Sequence, residues 1–204
     1  LNGYSLKVRS DRCDTKDGIG GGILIYAVDG LLAEEDESFD PQPFNQAACL
    51  RVRTGNGTDL KLVTIYRSPN SSLQNNDALN RFISNVDSRT VLVGDFNYGN
   101  IDWTQRTAGN SDCRRFLDAC DDSFLIQYVN FATRKDKILD LVLCADPDLI
   151  DDVTCGGRLG TSDHDAVKFN IQSKPRIENP SKQRVPDFTK ADWAAINLEF
   201  SELS

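Results

Sequence analysis

Two short stretches of this sequence set acids, an amide and an imidazole where a folded chain could apply them to a substrate. The first is Val91-Leu92-Val93-Gly94-Asp95-Phe96-Asn97, an apolar run that ends in Gly and then delivers an acid and an amide two positions apart. If strand geometry persists, Asp95 and Asn97 project to the same side at its carboxyl end, where α/β folds place polar working groups. The plainer alternative is that Gly-Asp simply opens a turn. The second stretch, Ser162-Asp163-His164-Asp165, holds the single His of the chain. An imidazole works on a substrate only if an acceptor orients its other ring nitrogen. Adjacent side chains on an extended segment point apart, so Asp163 and Asp165 suit that task poorly. Asp140 suits it better, because a carboxylate leading into the apolar run Leu141 to Cys144 is costly to bury unless it is paired. The alternative is a surface His in an acidic loop. A third stretch, Ile65-Tyr66-Arg67-Ser68-Pro69-Asn70, leaves a strand at a Pro-fixed bend. Its phenol, guanidinium, hydroxyl and amide could bind a phosphate, as could those of many loops.

The elements that must position these groups are short. Ile23 to Val28, Cys49 to Val52, Leu60 to Tyr66, Val91 to Val93, Leu139 to Cys144 and Ala166 to Ile171 are β-branched and apolar, and are expected as strands. Thr54-Gly55-Asn56-Gly57 should turn one of them back on the next. Leu79, Phe82, Ile83 and Val86 make one helical stripe, and Phe116, Leu117 and Cys120 make another behind Ser111 as N-cap. Strands with few helices between them predict a mixed α/β layered domain. The six acids Asp29, Glu34, Glu35, Asp36, Glu37 and Asp40 are expected in a solvated, mobile loop, with an acidic metal cage as the sharper alternative. Residues 173–188, rich in Pro and basic side chains, read as a linker. Beyond it, Thr189 and Asp192 fit a capping box. Trp193, Ile196, Phe200 and Leu203 then follow as the stripe of an amphipathic helix over 189–204 that must dock on its own domain or on a partner.

The chain has 204 residues, enough for one domain with a real core. A net charge of -8 argues against a protein that holds nucleic acid by blanket phosphate neutralisation. A nucleic-acid role would need a local basic surface or divalent cations. One His excludes a multi-histidine metal site. No apolar run is long enough for a membrane span, and no secretion signal opens the chain. The 6 cysteines lack metal or scaffold spacing and are expected to be mostly buried, reduced thiols of an intracellular protein. A chain that starts at Leu1 and contains 0 Met is expected to begin downstream of its own start codon.

Taken together, Gly-Asp-Phe-Asn, a later Leu-Asp strand and then Ser-Asp-His resemble the endonuclease/exonuclease/phosphatase family of metal-dependent phosphodiesterases. More narrowly, the chain resembles the endonuclease domain of non-LTR retrotransposons of the chicken-repeat and jockey types. Gly20-Gly21-Gly22-Ile23, Tyr66-Arg67-Ser68-Pro69-Asn70, Gly94-Asp95-Phe96-Asn97 with Ile101-Asp102-Trp103, Thr133-Arg134, Leu139-Asp140-Leu141, Leu159-Gly160 and Ser162-Asp163-His164 carry the likeness. It covers roughly residues 3–172, and Val185 to Trp193 resembles the segment leading toward a reverse transcriptase. The fold so implied is a deoxyribonuclease-like α/β sandwich of two packed mixed β-sheets flanked by helices.

The resemblance also implies roles. Asp95 would position or activate the attacking water, with Asn97 helping to orient it. His164, held by Asp140, would stabilise charge on the scissile phosphate. Asp163 would bind a divalent ion, Mg²⁺ or alternatively Mn²⁺. Tyr66 and Asn70 would contact phosphate oxygens, with Thr133 and Ser162 in support. The implied reaction nicks DNA and leaves a 3′-hydroxyl to prime reverse transcription, with a reverse transcriptase domain as partner and the nucleus as location. In the family an Asn and a metal-binding Glu lie upstream of the Gly-Tyr segment that begins here at Gly3-Tyr4, and no residue matches either. The amino-terminal part is therefore expected to be absent, cation binding weaker, activity impaired, and the sheet edge open to self-association or domain exchange. Two further readings are a non-catalytic interaction module on the same fold and a family phosphatase acting on a small phosphorylated substrate.

Overall fold

The structure, a computed structural model, describes residues 2–11, 22–40, 46–55 and 57–177. Cys13, Gly20, Gly21, Pro41, Pro43, Asn56 and the linker and helix expected beyond residue 177 lie outside these. In chain order the elements are β1 (Tyr4–Asp11), β2 (Gly22–Val28), β3 (Ala33–Glu35), β4 (Ala47–Val52), β5 (Leu60–Tyr66), α1 (Leu73–Ile83) and β6 (Thr90–Asp95). There follow β7 (Ile101–Asp102), β8 (Thr107–Ala108), α2 (Ser111–Asp122), β9 (Ile126–Gln127), β10 (Asp140–Cys144), β11 (Ile150–Arg158) and β12 (Asp165–Ile171).

A 6-stranded mixed sheet of order β3-β4-β5-β6-β10-β9 organises the molecule. Alternation along its strands divides the side chains between two faces. Cys49, Val63, Ile65, Leu92, Leu141 and Leu143 point to one side and pack with Leu79 and Ile83 of α1 and Phe116 and Cys120 of α2. The other face is covered by two antiparallel hairpins. Val8 of β1 and Ile23, Ile25 and Ala27 of β2 cover Ala48 and Leu50 of β4. Val167, Phe169 and Ile171 of β12 pack on Leu60, Val91, Val142 and Cys144. β5 and β6 are parallel, with α1 as their crossover, while β6 and β10 are antiparallel. That arrangement brings the carboxyl ends of β5 and β6 beside the amino end of β10.

Several expectations change. Ser111 is the first residue of α2, and its cap is Asn110, whose extended backbone lets its side chain accept from Cys113 N at 2.8 Å. The α1 stripe keeps Leu79 and Ile83, but the helix stops before Val86, at Ser84. The acidic stretch is not a free loop: Ala33, Glu34 and Glu35 pair with Val52, Arg51 and Leu50 of β4. Glu34 lies 2.9 Å from Arg51, and Asp36, 4% exposed, accepts from Ser38 Oγ at 2.5 Å. The cations that neutralise these acids come from the neighbouring strands and are invisible in the local composition. Residues 173–177, the start of the expected linker, run beside this edge, where Leu32 N donates to Arg176 O and Leu31 bridges Ile177. Cys49, Cys113, Cys120 and Cys144 are buried and free, and Cys155 is exposed.

One glycine is demanded by the sheet. Gly94 sits opposite Ile65 in the parallel pair with φ +132°, and a Cβ there would run into the Ile65 carbonyl oxygen. Gly94→Ala should therefore lower unfolding stability by about 3 kcal/mol or more. Gly55→Ala, whose Cβ would meet only Lys174 O at an ordinary 3.6 Å, should be close to neutral. Urea unfolding of both variants checks the contrast.

Candidate active site

The site forms where three strand ends meet. Asp95 closes β6, Tyr66 closes the parallel β5 beside it, and Asp140 opens the antiparallel β10 on its other side. Register and alternation put all three on the hairpin side of the sheet. His164 enters just ahead of β12, and its Nδ1 lies 2.8 Å from Asp140 Oδ2, both side chains 23% exposed. With the carboxylate as acceptor, Nδ1 carries the proton and Nε2 is left for another group. Ser162 Oγ accepts from His164 N at 3.0 Å, which fixes the approach of the His to the strand.

Asp95 and Asn97 do meet, but not through a continuing strand. β6 ends at Asp95, and Asn97 turns back with φ +52°. Its backbone N and its Nδ2 donate to the Asp95 carboxylate at 3.1 and 2.8 Å, and Nδ2 also donates to Arg67 O at 2.8 Å. Asn tolerates the left-handed conformation better than most residues. The Asn97 amide is thus committed to holding Asp95.

Burial pushes the Asp95 carboxyl up to about 6; Asp140 pushes the same way, while His164 and the two Asn97 hydrogen bonds pull it down. Ionised Asp95 therefore opposes folding. A carboxyl raised above its unfolded value loses native-state protons late, so its penalty is absent below the unfolded value, grows through the window up to about 6 and is complete above it.

Thr133, expected to make a supporting polar contact, is fully buried. Its Oγ1 accepts from Leu139 N at 3.0 Å and Asp140 N at 3.1 Å, and its carbonyl accepts from Asp165 N at 2.7 Å. It sits beneath the site and joins the segments that carry Asp140 and His164. Asn70 is exposed on the turn between β5 and α1. Asp163 is exposed and faces Arg134, whose Nε donates to its Oδ2 at 2.7 Å and holds its carboxyl below the usual range.

Arg67 departs most from expectation. Its guanidinium does not face a substrate: the residue is 4% exposed. Nε donates to Asn76 Oδ1 at 2.8 Å, and Nη1 donates to the carbonyls of Phe96 and Asn97 at 3.2 Å each. The cation lies 4.0 Å from the centre of the Tyr98 ring, a favourable stack. Arg67 N also donates to Asp95 O at 2.8 Å. Asn76 and Tyr98, both buried, belong to the support of the site and were missed in the sequence. The 3.6-residue spacing of Asn76 with Leu79 and Ile83 was the available signal for a polar group on the packed face of α1.

Among the described residues no cluster of three or more His, Cys, Asp or Glu side chains is arranged to hold a metal ion. Asp140 is engaged by His164, Asp95 by Asn97, and Asp163 by Arg134. These donors alone do not make a complete site for Mg²⁺ or Mn²⁺.

A mixed sheet backed by helices, faced by hairpins and ending in an acidic, imidazole-bearing site is the deoxyribonuclease-like endonuclease fold. Residues 60–168 match the family model described as endonuclease-reverse transcriptase, and the chain belongs to that family of enzymes. Among solved structures it is similar to the endonuclease domain of TRAS1, a telomere-specific non-LTR retrotransposon. That match has a TM-score of 0.64 and 19% identity over 84% of this chain and 81% of the other. It is also similar to the catalytic domain of Xenopus laevis APE2, with a TM-score of 0.56 and 16% identity over 95% and 84% of the two chains. No curated protein sequence matches it.

Two measurements test the site's internal forces. Replacing Arg67 with Met should cost about 3 to 5 kcal/mol in urea unfolding, because the three acceptors stay buried without their donor. Asp95→Asn should raise the thermal midpoint at about pH 8 and leave it nearly unchanged at about pH 4, where the native carboxyl is already neutral.

Proposed function

We propose that this chain is a DNA endonuclease of the retrotransposon type, which hydrolyses one phosphodiester and leaves a nick with a free 3′-hydroxyl. The observation that carries the reading is the Asp140–His164 pair set beside Asp95 at the sheet end. The similarity to the TRAS1 endonuclease domain supports DNA as substrate, and the family description supports a reverse transcriptase as the partner activity; the nucleus is the place of action this reading implies.

In this reading Asp95, ionised above about pH 6, accepts the proton of the attacking water while Asn97 holds its carboxylate in place. His164, kept in one tautomer by Asp140, presents Nε2 to a phosphoryl oxygen and stabilises the charge that develops there. Tyr66 lies beside Asp95 and faces the same phosphate. Asp163, which Arg134 engages, would supply one carboxylate to Mg²⁺ or Mn²⁺, and such an ion would polarise a phosphoryl oxygen when bound. Since the described donors leave that ion incompletely bound, turnover by this chain is expected to be slow.

Supercoiled plasmid incubated with the 204-residue chain and Mg²⁺ or Mn²⁺ should convert slowly to open circles whose ends a DNA polymerase extends directly. His164→Ala should reduce conversion by about 100-fold or more. Nicking that survives this substitution unchanged would remove His164 from the mechanism. The absence of a three-donor cluster among the described residues favours a second reading, a non-catalytic interaction module. No conversion with either ion, in wild type and variant alike, would select it.

A further inference from the structure

The β1–β2 hairpin has two apolar faces, and the described residues cover only one. Val8, Ile23, Ile25 and Ala27 are buried against β4. On the opposite side Tyr4, Leu6, Leu24, Tyr26 and Val28 are 53%, 45%, 56%, 43% and 45% exposed. The register makes them one surface: Tyr4 is opposite Val28, Leu6 opposite Tyr26, and Arg9 opposite Leu24. Five large apolar side chains contiguous on a two-stranded ribbon are not the scattered singles of an ordinary surface. The corresponding face of β12 exposes Ala166, Lys168 and Asn170, so the apolar character belongs to this hairpin and not to the layer.

The path of the chain says what can cover it. After β12 the polypeptide returns along the β3–β4 edge, and Ile177 bridges Leu31, three positions beyond the Val28 end of β2. The last described residue therefore lies just past the Val28 end of the hairpin, beside Leu31, which packs with the hairpin's covered side. Residues 178–188 can span on the order of 35 Å when extended, against about 23 Å for the 7 residues of β2. Beyond them, Trp193, Ile196, Phe200 and Leu203 make the one helical apolar stripe of residues 178–204. From Trp193 to Leu203 that stripe is about 15 Å long as a helix, against about 13 Å from Leu24 to Val28 along β2. Asp192, Glu199 and Glu202 flank the stripe, and the hairpin's outer face carries at its rim Arg9, itself paired with Asp11.

We propose that residues 189–203 of the same chain dock as an amphipathic helix on the outer face of the β1–β2 hairpin, with Trp193, Ile196, Phe200 and Leu203 against Leu6, Leu24, Tyr26 and Val28. The docked helix gives the hairpin a second packed face and fixes where the chain leaves the domain.

Hydrogen exchange on the full chain tests this. Amides of residues 193–203 should be protected by about tenfold or more over their free-peptide rates. Leu24→Asp with Tyr26→Lys, at positions exposed in the described structure, should abolish that protection, and so should Phe200→Asp from the other side. The strand amides of β4, β5 and β6 should stay protected in all variants, which separates undocking from unfolding. Protection should be independent of concentration, with a monomer in sedimentation. Protection that appears only with dimers would assign the face to a second copy and overturn the proposal. Unprotected 193–203 amides at every concentration, or protection indifferent to the hairpin substitutions, would overturn it as well.

Discussion

The buried guanidinium of Arg67 is the constraint around which the working end of this molecule is built. It carries a full charge, is 4% exposed, and has no carboxylate of the described residues paired with it. What compensates the charge is a set of dipoles: the Asn76 side chain, two backbone carbonyls and the face of Tyr98. Such a cation tolerates burial only if every donor is met in good geometry. The forked, planar shape of Arg can reach two elements at once where Lys could not. Its acceptors therefore fix each other. The Phe96–Asn97 carbonyls are drawn toward α1, Asn97 is held in its left-handed turn, and its amide is aimed at Asp95. Asn76 in turn donates to Asp112 of α2 at 3.2 Å. A chain of polar contacts thus runs from the packed helices to the carboxylate at the sheet end.

That carboxylate sits where the fold would prefer no charge. Asp95 and Asp140 are opposite one another on adjacent strands, half-buried, with one imidazole paired to Asp140 and near enough to favour the charge on Asp95. Ordinary sheet energetics places opposite charges or apolar pairs there. A fold that keeps two acids in that position is carrying local conflict at one point while every neighbouring strand position is consistent. Such isolated conflicts are where function is found in otherwise well-matched sequences. Opposite signs of contribution to stability and to proton acceptance can reside in the same group.

Much of this was legible before any coordinates. The pairing of Asp140 with His164 followed from the cost of leading a carboxylate into an apolar strand, and the structure sets those two groups 2.8 Å apart. The apolar strands and both helices were readable because their faces are buried and their periodicity is unbroken. What failed has specific causes. β1 hides its alternation because a bulge between Leu6 and Val8 shifts its phase. β11 spells Ile-Asp-Asp-Val-Thr-Cys-Gly-Gly-Arg and is mostly solvated, so it lacks an apolar signal. The acids of residues 29–40 looked unpaired because Arg51 and Lys61 reach them from other strands. The direction of Arg67 and the burial of Thr133 are tertiary facts. Residue type alone cannot say whether a polar side chain faces a substrate or holds up the loop that does.

Thr133 has a consequence for how such a domain can vary. Its hydroxyl grips the start of β10 while its carbonyl grips the start of β12. The separation of Asp140 from His164 is therefore set by a residue outside the segment that connects them. Chain between Ala145 and Gly160 can lengthen or shorten, at a closure cost that grows only slowly with loop length, without moving either side chain. A fold wired in this way can remodel a whole hairpin beside its site over generations while the spacing of the reactive groups stays constant.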